Sequence, residues 1–222
     1  MSHRKTGIWF AADGELTSMI EVIGDIYRYI DAVKIGYPLV LNSGVKLSKL
    51  VSLIKDVCDL PVIADLKIVD IPFIAEKIAF AALNAGCDGV TIAGICGRSV
   101  VIACKKIAKE KEVYVFTQFT HEDGLIDDKL AEKILNIAKE SKVTGVQVPA
   151  TKPHRIRFAR EFLGEDYIII SCGVGYQGLP IGSAIKEGAN YEIVGRAIYG
   201  NENPKNAAIE IRRKIEALTE IS

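Results

Sequence analysis

A single closed (β/α)8 barrel of the α/β class, with an eight-stranded parallel sheet spanning residues 1–222 as one domain, is predicted by three features of the sequence. Eight short apolar or β-branched runs recur along the 222 residues, amphipathic stretches separate them, and no linker, low-complexity tract or Pro/Gly/Ser-rich boundary interrupts the alternation. An open doubly wound sheet commonly stops at roughly five or six strands, so eight alternations favour closure.

The first run is Gly7 to Ala12, and the stretch Glu15 to Ile30 after it carries apolar residues at helical spacing. Ala32 to Gly36 is the second run. Pro61 to Lys67 is the third, followed by the helical pattern of Ile74 to Ala85. Gly89 to Ala93 precedes Ser99 to Lys109, and Glu112 to Gln118 precedes Lys129 to Lys139. Gly145 to Val148, Tyr167 to Ser171 and Tyr191 to Gly195 complete the set, with Pro204 to Leu218 as the closing helix. In such a barrel the chemistry sits at the C-terminal ends of the strands, so the residues that end each run are the ones to read for function.

A chain of this length buries roughly 70% of the surface its unfolded form exposes. Charge is balanced, 28 basic against 28 acidic side chains, which gives no long-range field for nucleic acid and points to a small ligand held in a local pocket. No apolar run reaches the ~20 residues of a membrane helix, and Met1 to Thr6 is polar, so a soluble cytoplasmic protein is expected. Five cysteines, Cys58, Cys87, Cys96, Cys104 and Cys172, have no CxxC spacing and suit reduced, packed thiols rather than disulfides or a zinc site.

In the third run, strand alternation places Ile63, Asp65 and Lys67 on one face and Val62, Ala64 and Leu66 on the other. Asp70 follows in the loop, and Pro72 suits the first turn of the next helix. Such charges at an apolar strand end are costly to desolvate unless they serve one another or a ligand. A salt-bridge network closing the barrel top accounts for the spacing equally well. Lys34, near the end of the second strand, adds a second lysine beside this array, although a solvated strand-end lysine fits there too.

The strings DAVKIGYPLVL (Asp31 to Leu41) and VIADLKIVDIP (Val62 to Pro72) resemble the orotidine 5′-monophosphate decarboxylase family in its compact archaeal form, and the similarity extends over nearly the whole chain. The resemblance implies a Lys-Asp-Lys-Asp tetrad at Lys34, Asp65, Lys67 and Asp70. It also implies a homodimer in which Asp70 and Ile71 serve the neighbouring subunit's site. The implied reaction is cofactor-free and metal-free decarboxylation of a small nucleotide. Loss of carbon dioxide from the sixth ring carbon leaves a poorly delocalised carbanion, and Lys67, flanked by Asp65 and Asp70, suits both its stabilisation and its protonation.

Ser171 to Gly178 follows the seventh run and Ile193 to Tyr199 carries the eighth, the usual phosphate position of the barrel. Gly173, Gly175 and Gly178 let backbone N–H groups turn toward an anion, Gly195 opens the next loop for close approach, and Arg196 offers a fork matched to phosphate oxygens. Tight turns for the glycines and a salt bridge for Arg196 are the plainer readings. By resemblance, Gln177 and Arg196 contact phosphate, on a loop that closes over the nucleotide, and Asp13 contacts ribose; Asp13 could instead cap the next helix.

Several positions depart from the family pattern. Ile74 stands where the family commonly has a ribose-contacting Thr, Ala93 replaces the His of V-H-G, and Cys172 replaces a Pro. The common S-H-P-G becomes Thr120 to Asp123, in which Thr120 keeps a hydroxyl for the pyrimidine edge. These changes bear on ribose recognition, loop closure and turnover. His121 reads as a solvated loop side chain, while His3 and His154 show no partner, so the three histidines make no metal constellation. Two other readings share the barrel. A metal-dependent hexulose-phosphate synthase or keto-gulonate-phosphate decarboxylase carries a Glu where Lys34 stands, and a non-catalytic nucleotide-phosphate-binding barrel would keep only the phosphate grip.

Overall fold

The computed structural model describes residues 5–219, apart from the side chains of Gln177 and Thr219; His3 lies outside it. Eight parallel strands close into a barrel in sequence order: β1 Gly7–Ala12, β2 Ala32–Gly36, β3 Val62–Ile68, β4 Gly89–Ala93, β5 Glu112–Phe116, β6 Gly145–Pro149, β7 Ile168–Cys172 and β8 Tyr191–Val194. Closure is made by β1 against β8, with Gly7 opposite Tyr191 and Phe10 opposite Val194.

Helices cover the outside: α1 Leu16–Ile26, α2 Tyr37–Asn42, α3 Leu47–Val57, α4 Pro72–Asn84, α5 Arg98–Ala108, α6 Asp128–Glu140, α7 Pro153–Leu163, α8 Ser183–Lys186, α9 Arg196–Tyr199 and α10 Pro204–Thr219. The amphipathic stretch Glu15 to Ile30 is not one helix, because α1 gives way to a tighter 3-10 turn at Tyr27–Tyr29. Pro72 occupies the first turn of α4, where its missing N–H costs no helical bond. The fifth strand ends at Phe116 rather than Gln118, and the Gln118 side chain donates to the Ile126 carbonyl at 2.7 Å.

Two apolar layers follow from the strand parity. Ile8, Phe10, Val33, Val62, Ala64 and Leu66 point outward and pack with the helices, whereas Trp9, Ala32, Ile63, Tyr114, Ile170 and Tyr191 fill the interior. The Trp9 ring meets Tyr114 edge-on at 5.0 Å. Burying each such ring contributes about 1.5–3 kcal/mol and plugs the barrel interior below its C-terminal mouth.

Among the described residues, no helix is long and apolar enough to cross a membrane. All five cysteines are free thiols, and burial pushes Cys87 up to about 12 and Cys104 up to about 11, as packed, unreactive thiols require.

Candidate active site

The inward parity of β3 carries Asp65 into the mouth of the barrel, 4% exposed. At Lys67 the strand breaks pattern: the backbone adopts φ 40°, and the pairing with β4 shifts register between Ala64 and Ile68. A positive φ is costly for a side chain with a Cβ and persists only where surroundings hold it. Here the Lys67 N–H donates to Thr91 Oγ1 at 2.8 Å, and the same hydroxyl donates to Asp65 Oδ1 at 2.8 Å. Lys67 Nζ reaches both Asp65 oxygens, at 2.9 and 2.8 Å.

Lys34 joins the array from β2. Its ammonium lies 3.4 Å from Asp65 Oδ2 and 3.1 Å from Asp13 Oδ1, and the residue is 7% exposed, so it is not a solvated strand-end lysine. Burial by itself would lower the Lys34 pKa, but Asp65 and Asp13 outweigh it and hold the value above the ordinary lysine range. Burial likewise opposes ionisation of Asp65, and Lys34, Lys67 and the Thr91 hydrogen bond outweigh it to hold the carboxyl below its usual range. Asp13 does not cap α1; that bond comes from Glu15, whose carboxylate accepts the Ser18 N–H at 3.2 Å.

Asp70 does not join the other three charges within the chain. It is exposed, its carboxylate accepts the following Ile71 N–H at 2.7 Å, and both residues line a shallow surface depression with Val69 and Ile95. Pro72 starts α4 directly after Ile71 and turns this loop outward. The expected flanking of Lys67 by two aspartates is therefore met by Asp65 alone in one subunit.

Across the cleft, Gly173, Gly195 and Arg196 line the wall between β7 and β8. A Cβ at Gly195 would sit 3.1 Å from the Ala11 carbonyl, tighter than an ordinary contact, so glycine eases this close approach. Gly175, at φ 71°, is a turn residue whose N–H donates to the Leu179 carbonyl at 2.7 Å; that donor is spent, which corrects its reading as an anion contact. Arg196 begins α9 and lies exposed with its guanidinium 3.8 Å over the Tyr176 ring. It has no carboxylate partner among the described residues, contrary to the salt-bridge reading. Gln177 lies in the 3-10 turn Gly175–Gln177, and its side chain is outside the described residues.

The cleft encloses about 270 Å³. Thr120 lines it from the β5 side, its carbonyl accepting the Thr151 hydroxyl at 2.9 Å. Ile74 and Ala93 are not among its lining residues, whereas Cys172 is. His121 is exposed and 3.7 Å from Asp123. His154, expected to stand alone, is 3.1 Å from Asp128. Among the described residues no cluster of three or more His, Cys, Asp or Glu is arranged to hold a metal ion.

Sequence reasoning missed Thr91, Phe116, Gln147 and Tyr176. Thr91 and Gln147 carried a usable signal, since each is a polar residue at an inward position of an otherwise apolar strand.

Comparison with known proteins shows the family. Residues 8–211 match the model of the Orotidine 5′-phosphate decarboxylase / HUMPS family. A protein of Methanococcoides burtonii named orotidine 5′-phosphate decarboxylase is 38% identical over 196 residues, covering 86% of this chain and 88% of the relative. The Pyrococcus furiosus protein of that name is 35% identical, covering 91% and 93%. Among solved structures, orotidine 5′-monophosphate decarboxylase of Methanocaldococcus jannaschii complexed with the inhibitor BMP superimposes with a TM-score of 0.87 at 33% identity, covering 95% of this chain and 99% of that one. The enzyme of Pyrococcus horikoshii gives 0.85 at 34%, covering 94% and 99%. A match of this extent, on a barrel whose mouth holds Lys34, Asp65 and Lys67, places the chain in the Orotidine 5′-phosphate decarboxylase / HUMPS family.

Proposed function

We propose that this protein decarboxylates orotidine 5′-monophosphate to uridine 5′-monophosphate, the last step of de novo pyrimidine synthesis, without metal or cofactor. The observation that carries the reading is the Lys34–Asp65–Lys67 array, which faces a cleft whose far wall is built by Gly195 and Arg196.

In this reading Arg196 and the Gly173 and Gly195 backbone hold the phosphate, Asp13 meets the ribose, Thr120 meets the pyrimidine edge, and the substrate carboxylate lies by Lys67. As the carbon–carbon bond breaks, its electron pair stays on the sixth ring carbon. The Lys67 ammonium, oriented by Asp65, stabilises that charge and then gives it a proton. Lys34 keeps Asp65 ionised and in place. Phosphate binding remote from the ring supplies energy that offsets loop closure and orientation.

The exposed face of Val69, Ile71 and Phe73 beside Asp70 supports a homodimer, because these side chains are 62%, 63% and 63% exposed and contiguous with the active-site loop. In such a dimer Asp70 and Ile71 complete the neighbour's site.

A metal-dependent reaction of the same family is disfavoured by the donor set. Asp65 is engaged by two ammonium groups, and a divalent cation beside them would be repelled. The test is incubation of chelator-treated protein with orotidine 5′-monophosphate, followed by chromatography of the products. Uridine 5′-monophosphate formed at the untreated rate supports the reading. Activity that vanishes with chelator and returns with magnesium refutes it.

A further inference from the structure

Tyr176 is 67% exposed, a large aromatic ring left in water where it lines the cleft. Its backbone is nevertheless held twice. The turn that carries it is closed on itself: Val174 bridges Leu179, the Gly175 N–H donates to the Leu179 carbonyl at 2.7 Å, and the Gly178 N–H donates to the Gly175 carbonyl at 3.0 Å. The same turn packs on the start of α9, where a Cβ at Gly175 would lie 3.0 Å from that of Ala197. This approach, at φ 71°, brings the Tyr176 ring to the residue before Ala197, and the Arg196 guanidinium carbon lies 3.8 Å from the ring centroid.

A guanidinium has flat faces and a planar edge that carries its N–H donors. The ring covers a face and leaves the edge, so stacking and a two-pronged grip on phosphate oxygens use different parts of the same group. No carboxylate reaches Arg196 among the described residues, so the ring orders the long side chain without neutralising it. An arginine loose in water must be ordered when an anion arrives, which weakens binding. One already stacked loses less freedom.

We propose that Tyr176 is a positioning residue for the phosphate group: its ring stacks on Arg196 and holds the guanidinium edge ready for the anion before the nucleotide binds. The inference rests on the phosphate reading of Arg196 given above and adds a residue that acts through the arginine. The contact is made by the ring face, so phenylalanine should serve as well as tyrosine and an aliphatic side chain should not. The stack also ties the Gly175–Gln177 turn to α9, which joins the two walls of the phosphate end of the cleft.

The test is calorimetric binding of uridine 5′-monophosphate and of uridine to the wild type, Tyr176→Ala, Tyr176→Phe, Arg196→Ala and the double alanine variant, with Tyr176→Leu carrying the comparison if Tyr176→Ala does not fold. Tyr176→Ala should weaken uridine 5′-monophosphate about three- to tenfold and leave uridine unchanged, and Tyr176→Phe should bind as the wild type does. In the Arg196→Ala background the tyrosine substitution should cost nothing further, which a purely structural role would not produce. Unchanged or tighter nucleotide binding by Tyr176→Ala overturns the assignment and leaves the phosphate reading intact. So does a Tyr176→Phe variant as weak as Tyr176→Ala, which would move the role from the ring to the phenol oxygen. A wild type that binds uridine 5′-monophosphate no more tightly than uridine overturns the phosphate reading, and the assignment with it.

Discussion

Thr91 donates its hydroxyl to Asp65 at 2.8 Å while accepting the backbone N–H of Lys67, so one small side chain on β4 holds both the aspartate and the strained lysine beside it. Thr91→Val keeps the shape and removes both bonds. We expect a stability loss of about 1–3 kcal/mol, together with a fall in kcat larger than the change in KM, measured by denaturant titration and steady-state kinetics. An unaltered kcat would mean that Lys67 holds its position without Thr91.

The pH dependence follows from opposite shifts on Asp65 and Lys34. Asp65 titrates below its ordinary value in the fold, so its stabilisation is present above the ordinary carboxylate pKa and is lost as pH falls through the folded value. Lys34 titrates above its ordinary value, so its stabilisation is present below the ordinary lysine pKa and is lost as pH rises through the folded value. Thermal unfolding across pH should show a broad plateau from this pair. Lys34→Met should erode its acid side first, because Asp65 then loses one of the two ammonium groups that hold its carboxyl low.

Among the described residues, the Arg196 guanidinium has the Tyr176 ring as its side-chain contact and no carboxylate. Arg196→Ala should raise KM for orotidine 5′-monophosphate by about 10- to 100-fold, and leave the weak turnover of the phosphate-free nucleoside unchanged. Equal losses for both would assign Arg196 to folding rather than to phosphate.

Because Asp70 lies away from Lys67 of its own chain, the dimer reading makes a complementation prediction. Lys67→Ala and Asp70→Ala variants, each inactive alone, should recover about a quarter of wild-type activity when unfolded and refolded together, since half of the dimers are hybrids with one restored site. Recovery at background level would place Asp70 outside the chemistry.

The fold was legible because apolar runs and helical patterns alternate without interruption; every strand boundary fell within two residues of the expectation, the largest error being at Gln118. Lys34, Asp65 and Lys67 were legible because strand parity projects them together, and Arg196 because it follows the last strand. Lys67 at φ 40° was not, since a register shift between β3 and β4 depends on the neighbouring strand rather than on local sequence. Gly175 was misread because its donor is spent on Leu179, a turn bond that glycine spacing does not specify. His154 found Asp128 only because α6 and α7 pack side by side.

In the proposed reaction Lys67, held by Asp65, performs the chemistry. Ultraviolet absorbance of orotidine 5′-monophosphate with chelator-treated protein, run beside Lys67→Ala, tests it most directly. The orotate band should decay with the wild type and persist with the variant, a loss of at least about a thousandfold. A stable band with the wild type, or equal decay with Lys67→Ala, would contradict it.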